Sequence, residues 1–436
     1  MSVISETSKK YNLHSWSAQK DVNPMTVTKA DGIYFWDDEG NRYFDMSSQL
    51  VNSNLGHGNK ALIKAIQDQV EKLAFIGPGY AVDVRSAAAQ KLVEFAGPGF
   101  AGGKVFFTNA GAESNENAIK MCKAFTGRWK FLSMYRSYHG STFGASQLTG
   151  EGRRFISEPG VPGFYHFDGP YPYRAPKQVS FIDEDDVTKY YIDILEQKIK
   201  DENPAVIAGI FVESVVGSNG ALVPPKGYLK GVRALCDKYG IMMVCDEVMA
   251  GFYRVGTPFA FMQFDVVPDL VTFAKGSTCG YVPLGGVIVQ KKIAEFYEEN
   301  KMFNGLTYSA HPVGCACAVA AIDEYDRLNI KDNVAKQGKV MDDLLMAMEA
   351  KHACVGEVRG LGLMWQVELV KDKVTKEPFP IPDTAKVMGM LKGKGFASYN
   401  NENGIVVAPP LTITEEELRE AMGIMDKVLD EVDKTL

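Results

Sequence analysis

The sequence predicts an α/β fold on a mainly parallel sheet. Three observations carry this. Short apolar runs alternate with amphipathic helical stretches through the middle of the chain. Several runs are unbroken, as in strands covered on both faces. Polar clusters rich in small residues follow directly after them, where open α/β sheets collect ligands.

Taken in order, "GIYFWDDEGNRYFDM" alternates apolar and polar residues around Asp38-Glu39-Gly40-Asn41 and predicts a hairpin. A helix follows over about residues 59–74. "KVFFT" (Lys104–Thr108) predicts a strand, and the next helix spaces Ala118, Ile119, Cys122 and Phe125 along one face. "KFLSM" (Lys130–Met134), "AVIAGIFV" (Ala205–Val212) and "IMMVC" (Ile241–Cys245) predict further strands. Between the last two, a helix near Tyr228–Tyr239 stops at Gly240. "DLVTF" and "GGVIV" continue the sheet. From about Ala316 the pattern becomes more helical. It ends in a helix opened by a capping box, Thr414 to Glu417, with Leu418, Met422, Met425, Leu429 and Val432 on its apolar face. The expected division is a large domain over residues 58–318. A smaller α+β domain would combine residues 1–57 with 319–436.

The bulk properties narrow the function. The chain has 436 residues, 46% apolar and 23% charged, as in ordinary soluble globular proteins. A net charge of −7, with no basic run, argues against nucleic acid as a partner. No apolar run approaches the ~20 residues of a membrane span, and the first twenty residues do not read as a signal peptide. The seven cysteines form no CxxC pair, so reduced thiols, a cytoplasmic location and no metal site are expected.

Four polar features lie just beyond strand ends. In "TNAGAESNENA" a small-residue turn opens into a helix, so the backbone N–H groups of Gly111 and Ala112 would face an anion, most simply a phosphate. In "YRSYHG", Tyr138 and His139 end a strand, and an aromatic there can stack on a flat ring. In "VCDEV", Asp246 ends a buried strand and needs a cationic or hydrogen-bonding partner. In "TFAKGS", Lys275 follows another buried strand, where a lowered pKa would make its amine a nucleophile. Each has a plainer reading alone: a connecting turn, a core aromatic, and an ion pair between Asp246 and Lys275. Together, a phosphate cradle, an aromatic plate, a buried carboxylate and an imine-forming lysine match pyridoxal 5′-phosphate.

At these residues the chain resembles the class III (omega) aminotransferases of the fold type I pyridoxal-phosphate enzymes. "NAGAESNENAIK", "YHGST", "FVESVVGSNGALVPPKGYL", "DEVMAGFYRVG", "FAKGSTCGYVPLGGVIV", "LTYSAHPVGCACA", "VRGLGLM" and "VAPPLTIT" occur in the family's order. The resemblance implies catalytic roles for Lys275, which carries the cofactor and then moves the substrate proton, and for Asp246, which pairs with the pyridinium. It implies cofactor contacts from Gly111, Ala112, Tyr138, His139, Glu213 and Val248. Thr307 would reach the phosphate of a neighbouring subunit, giving a homodimer or a dimer of dimers. The partners implied are a small amine donor and a 2-oxo acid acceptor, in ping-pong order.

Many omega-aminotransferases carry a carboxylate-binding arginine shortly before "APPL". Here that region reads "GFASYNNENGIVVAPPL", with Tyr399 near the place. Ser218 stands where 4-aminobutyrate enzymes have a glutamate, and Ser141 where they have an arginine. Trp16, Gln49 and Val51 match positions at the substrate entrance, and Arg136 offers a spare cation. "SSQLVNSNLGHG" and "YRSYHG" are similar to taurine and ω-amino acid aminotransferases. The resemblance therefore points to a taurine- or β-alanine-type donor with pyruvate or 2-oxoglutarate as acceptor. A 4-aminobutyrate or other amine aminotransferase, or an aminomutase, decarboxylase or racemase on the same scaffold, are the alternatives.

Overall fold

The computed structural model describes residues 2–436. Its centre is a seven-stranded sheet. From one edge the strands run Lys104–Thr108, Gly285–Val289, Leu270–Phe273, Met242–Asp246, Ile207–Glu213, Lys130–Met134 and Phe164–Phe167. Gly285–Val289 is antiparallel to both neighbours, and the other adjacent pairs are parallel. Every residue of Ile207–Glu213, Met242–Asp246 and Leu270–Phe273 is buried, as an unbroken apolar run requires when helices cover both faces. The covering helices include Gly111–Thr126 and Tyr228–Tyr239. The second buries Leu229, Val232 and Cys236, and Gly240 caps it in the left-handed conformation at φ 63°.

Register sets up the chemistry. Glu213 pairs with Asp246, and Asp246 with Thr272, across three adjacent parallel strands. The carboxyl ends of these strands are therefore level, and Lys275 follows only three residues beyond Thr272.

The hairpin joins Tyr34–Asp37 to Arg42–Asp45, with Gly40 at φ 84° in its turn. Val27–Asp31 extends this sheet on one side. Phe396–Ala397 adds to Phe44–Asp45 on the other, which ties the N-terminal segment to the C-terminal part.

The later chain is helical as its pattern predicts, with helices Pro312–Arg327, Ile330–Lys351, Ile381–Gly393 and Glu415–Asp433. It also holds strands that the hydrophobic pattern did not place. Val355–Leu361, Met364–Asp372 and Gly404–Val407 form an antiparallel sheet, edged by Asn400–Asn401. The physical reason lies in Met364–Asp372, whose first seven residues are all buried although Gln366 and Glu368 interrupt the apolar run. Glu368 is tolerated there because Arg174, Arg359 and Tyr171 all hydrogen-bond to it.

The Glu415–Asp433 helix carries the capping box at Thr414 and Glu417, and its five expected apolar residues are buried. All seven cysteines are free and buried. Among the described residues no helix is long and apolar enough to cross a membrane.

Candidate active site

A cavity of about 370 Å³ opens at the carboxyl ends of the central strands. All four sequence features meet there: Gly111, Ala112, Tyr138, His139, Asp246 and Lys275 line it, with Glu213 and Val248.

The phosphate-type cradle is the start of the Gly111–Thr126 helix, preceded by extended Ala110. The first N–H groups of a helix have no partner within it, and they share the positive end of its dipole. Gly111 is required by packing. A Cβ there would fall 2.9 Å from both methyl carbons of Val248, which lines the same cavity.

Asp246 is buried at its strand end. Asn115 Nδ2 donates to Asp246 Oδ2 at 2.8 Å, and His139 Nδ1 lies 2.7 Å from the same oxygen. The Val248 N–H donates to Oδ1 at 3.1 Å. Thr272 Oγ1 donates to Asn115 Oδ1, which fixes the amide orientation. Burial opposes a charge on His139, but the hydrogen bond and charge of Asp246, with Glu213, outweigh it and raise its pKa. His139 Nε2 is buried without a partner.

Glu213 receives the Tyr138 N–H at 3.0 Å and the Gly217 N–H at 2.8 Å. Burial, with Asp246 nearby, holds its pKa above the ordinary carboxylate value in spite of His139 and these two donors. Glu213 thus fixes the backbone that presents the Tyr138 ring.

Lys275 sits at φ 46°, in the left-handed region. Such backbone strain is a common mark of functional positions. Burial pushes its amine down to about 8; Asp246 and Glu213 oppose that fall, and Arg153 and Arg254 add to it. The plainer reading of an Asp246–Lys275 ion pair is not met: the hydrogen-bond and ion-pair partners of Asp246 are Asn115, His139 and the Val248 backbone. A half-buried, unpaired amine of lowered pKa on the cavity wall has the character of a nucleophile and general base.

The remaining sequence candidates fall elsewhere. Thr307 is exposed and outside the cavity wall. Trp16, Gln49, Val51, Arg136 and Tyr399 do not line it either. Val51 is buried in an apolar cluster with Met249, and Tyr399 packs against that cluster. Met249 itself lines the cavity, so these two residues support its wall. Gln49 is tied to Asp45 by two hydrogen bonds of 2.9 Å. Trp16 is 66% exposed, with the Arg153 guanidinium 5.9 Å from its ring. Arg136 lines two other cavities.

Two residues escaped the sequence reading. Asn115 was available to it, because it lies one helical turn after Gly111 and so shares its face. Arg153 was not. It lies on a short 3₁₀ turn, Gly152–Ser157, with no periodic signal. Its guanidinium stacks 3.8 Å from the centre of the Tyr138 ring. Its charge reaches both Lys275 and Tyr399, whose hydroxyl is pushed by burial up to about 12 against Arg153 and Arg254.

The family model for class III aminotransferases matches residues 16–429. The chain belongs to that family. It is a pyridoxal-phosphate-dependent aminotransferase of fold type I. The taurine:2-oxoglutarate aminotransferase of Bifidobacterium kashiwanohense, solved with PLP and glutamate, superposes with a TM-score of 0.96. It is 46% identical, and the match covers 99% of this chain and 98% of that one. The taurine–pyruvate aminotransferase of Bilophila wadsworthia is 31% identical, over 98% of this chain and 96% of its own. A probable 4-aminobutyrate aminotransferase of Bacillus subtilis is 30% identical, over 97% and 99%.

Proposed function

We propose that this aminotransferase moves the amino group of a small ω-amino acid or aminosulfonate, of the taurine or β-alanine type, to pyruvate or 2-oxoglutarate. The observation that carries the reading is Arg153. The sequence around Tyr399 holds no arginine, yet Arg153 lays its guanidinium against the ring of Tyr138, which lines the cavity. The Arg153 Nε is paired with Glu151, which leaves the two terminal nitrogens to meet a carboxylate or sulfonate. Trp16 flanks the same guanidinium. The taurine aminotransferases among its relatives support the donor class.

The cavity fits the cofactor. The free N–H groups of Gly111 and Ala112 would hold its phosphate, and Tyr138 and Val248 would face its ring from two sides. Asp246, anchored by His139 and Asn115, would keep the pyridine nitrogen protonated. When bound, pyridoxal phosphate supplies a carbonyl for the amine and an electron sink for the substrate carbanion. Lys275 would hold the cofactor, and once displaced by the donor it would take the proton from the substrate carbon and return it at C4′. Arg153 would fix the far end of the donor and so set which carbon–hydrogen bond faces Lys275. Glu213 would hold Tyr138 in place. Thr307, exposed on this subunit, would complete the phosphate site of a second copy, so the working unit would be a homodimer.

The test is the first half-reaction. Holoenzyme is mixed with taurine, β-alanine, 4-aminobutyrate or a neutral amine, without acceptor, and its visible absorbance is followed. Loss of the visible band with taurine or β-alanine, restored by pyruvate or 2-oxoglutarate, supports the reading. Turnover of neutral amines alone would overturn it.

A further inference from the structure

Ser218 and Asn219 are neighbours in sequence but line different cavities. Ser218 belongs to the cofactor cavity, and Asn219 to a second cleft of about 250 Å³. We infer that this second cleft binds a small carboxylate, outside the catalytic cavity. The inference does not depend on which amine the Lys275 cavity takes.

The cleft lies where the chain after strand Lys130–Met134 meets the C-terminal sheet. Its charged lining comprises Arg136, Arg174, Arg359, Glu368 and Glu402, and Glu357 is bonded to Arg359 just outside. Most of these charges are already matched. Arg174 donates to Glu368 and to the Lys376 carbonyl. Arg359 donates to Glu357 and Glu368 at 2.6 Å each, and to the Gly220 carbonyl.

Arg136 is the exception. Its guanidinium stacks 4.8 Å from the centre of the Tyr171 ring. Its single ionic neighbour among the described residues is Glu402, at 3.8 Å, beyond hydrogen-bond distance. Glu402 is 62% exposed in its side chain, so that contact is weak. A planar cation, itself 42% exposed, is thus oriented at the cleft with no protein acceptor for its donors among the described residues.

A second observation also calls for an acceptor. Asn219 is only 7% exposed, and its Nδ2 is buried with no partner. An amide left so is costly unless something fills the cleft beside it. Gln366, buried on the same wall, makes one long contact of 3.5 Å to the Asn401 carbonyl. A guanidinium and two under-used amides ask for an anion with several lone pairs. A carboxylate supplies them in the planar form that arginine binds best. The volume is small for a drug-sized ligand and suits one of a few heavy atoms.

Occupancy would reach the catalytic cavity through one bond. Asn401, on the wall of the cleft, donates to the Ser218 carbonyl. A carboxylate joining Arg136 to the Asn400–Val407 hairpin would therefore hold the Ser218 segment of the catalytic wall.

Glutarate is a suitable probe, since it has carboxylates but neither amine nor ketone and cannot turn over. It is titrated calorimetrically into holoenzyme, into Arg136→Gln and Asn219→Leu, and into Arg153→Gln as the variant of the catalytic cavity. The expected result is two classes of site in the parent. One should weaken about tenfold or more in Arg136→Gln and in Asn219→Leu, and should persist in Arg153→Gln. If Arg136→Gln does not fold, the Asn219→Leu titration decides alone. A single class of site, unchanged by either cleft variant, would overturn the inference. So would inorganic phosphate binding the cleft as tightly as glutarate, because the site would then not be selective for a carboxylate.

Discussion

His139 Nδ1 and Asn115 Nδ2 converge on one oxygen, Asp246 Oδ2, at 2.7 and 2.8 Å. Both side chains are buried, so neither bond competes with water. Two donors on one oxygen hold the carboxylate in a fixed plane, as pairing with a pyridinium would require. Removing one should cost about tenfold or more in what the carboxylate does, the usual scale for a hydrogen bond to a buried charge. His139→Ala is therefore expected to lose pyridoxal phosphate on dialysis at a concentration where the parent keeps it. The half-reaction rate of the remaining holoenzyme should fall by a similar factor. Unchanged retention and rate would show that Asn115 alone suffices.

Lys275 sets a pH dependence for cofactor capture. Its amine is reactive only when neutral, and burial pushes its pKa down to about 8. An ordinary lysine titrates near 10.4. Covalent uptake of pyridoxal phosphate by the apoenzyme should thus accelerate about tenfold per pH unit below 8 and level off above it. Stopped-flow absorbance across that range reads the inflection directly. A rate still climbing tenfold per unit at about pH 9.5 would mean that burial does not control this amine.

Arg153 should separate charged from neutral donors. Arg153→Gln removes the guanidinium on Tyr138 and keeps a polar side chain of similar reach. KM for taurine or β-alanine is expected to rise roughly 10- to 100-fold, on the scale of a lost charge-assisted hydrogen bond. KM for a neutral amine should change little. Because Arg153 helps depress Lys275, the inflection in the cofactor-capture profile should also move to higher pH. A merely structural role would impair both donor types together and leave that inflection in place.

The fold was legible where burial and periodicity agree. Ile207–Glu213 and Leu270–Phe273 are apolar because both faces are covered, and each announces itself in sequence. Gly111, Tyr138, Asp246 and Lys275 were legible as neighbours in one cavity because strand ends mark them. Met364–Asp372 was not, because Gln366 and Glu368 are buried through partners distant in sequence, Arg174 among them. Arg153 was hidden for a similar reason. Its significance comes from stacking on a ring fifteen positions earlier, and no local pattern encodes that. Arg136 shows the converse: its strand-end position suggests the pocket, but its side chain turns to the cleft beside Tyr171.

Gly111→Ala should separate helix stability from cofactor binding. Gly111 is not in the left-handed region, so its backbone accepts alanine. At the first position of a sixteen-residue helix, alanine would be neutral or favourable by a few tenths of a kcal/mol. Its Cβ, however, would stand 2.9 Å from both Val248 methyl carbons, closer than carbon atoms pack. Val248 cannot retreat freely, since its N–H is held by Asp246. The strain is therefore expected to push Val248 toward the cofactor plane or the helix start away from the phosphate. In the apoenzyme Val248 can give into the cavity it lines, so the melt should stay within about 1 °C of the parent. Affinity for pyridoxal phosphate should fall about tenfold or more, at the scale of about 1–3 kcal/mol for overpacking. Thermal melts of the apoenzyme, set beside a cofactor titration, distinguish this from a general loss of stability, which would lower both together.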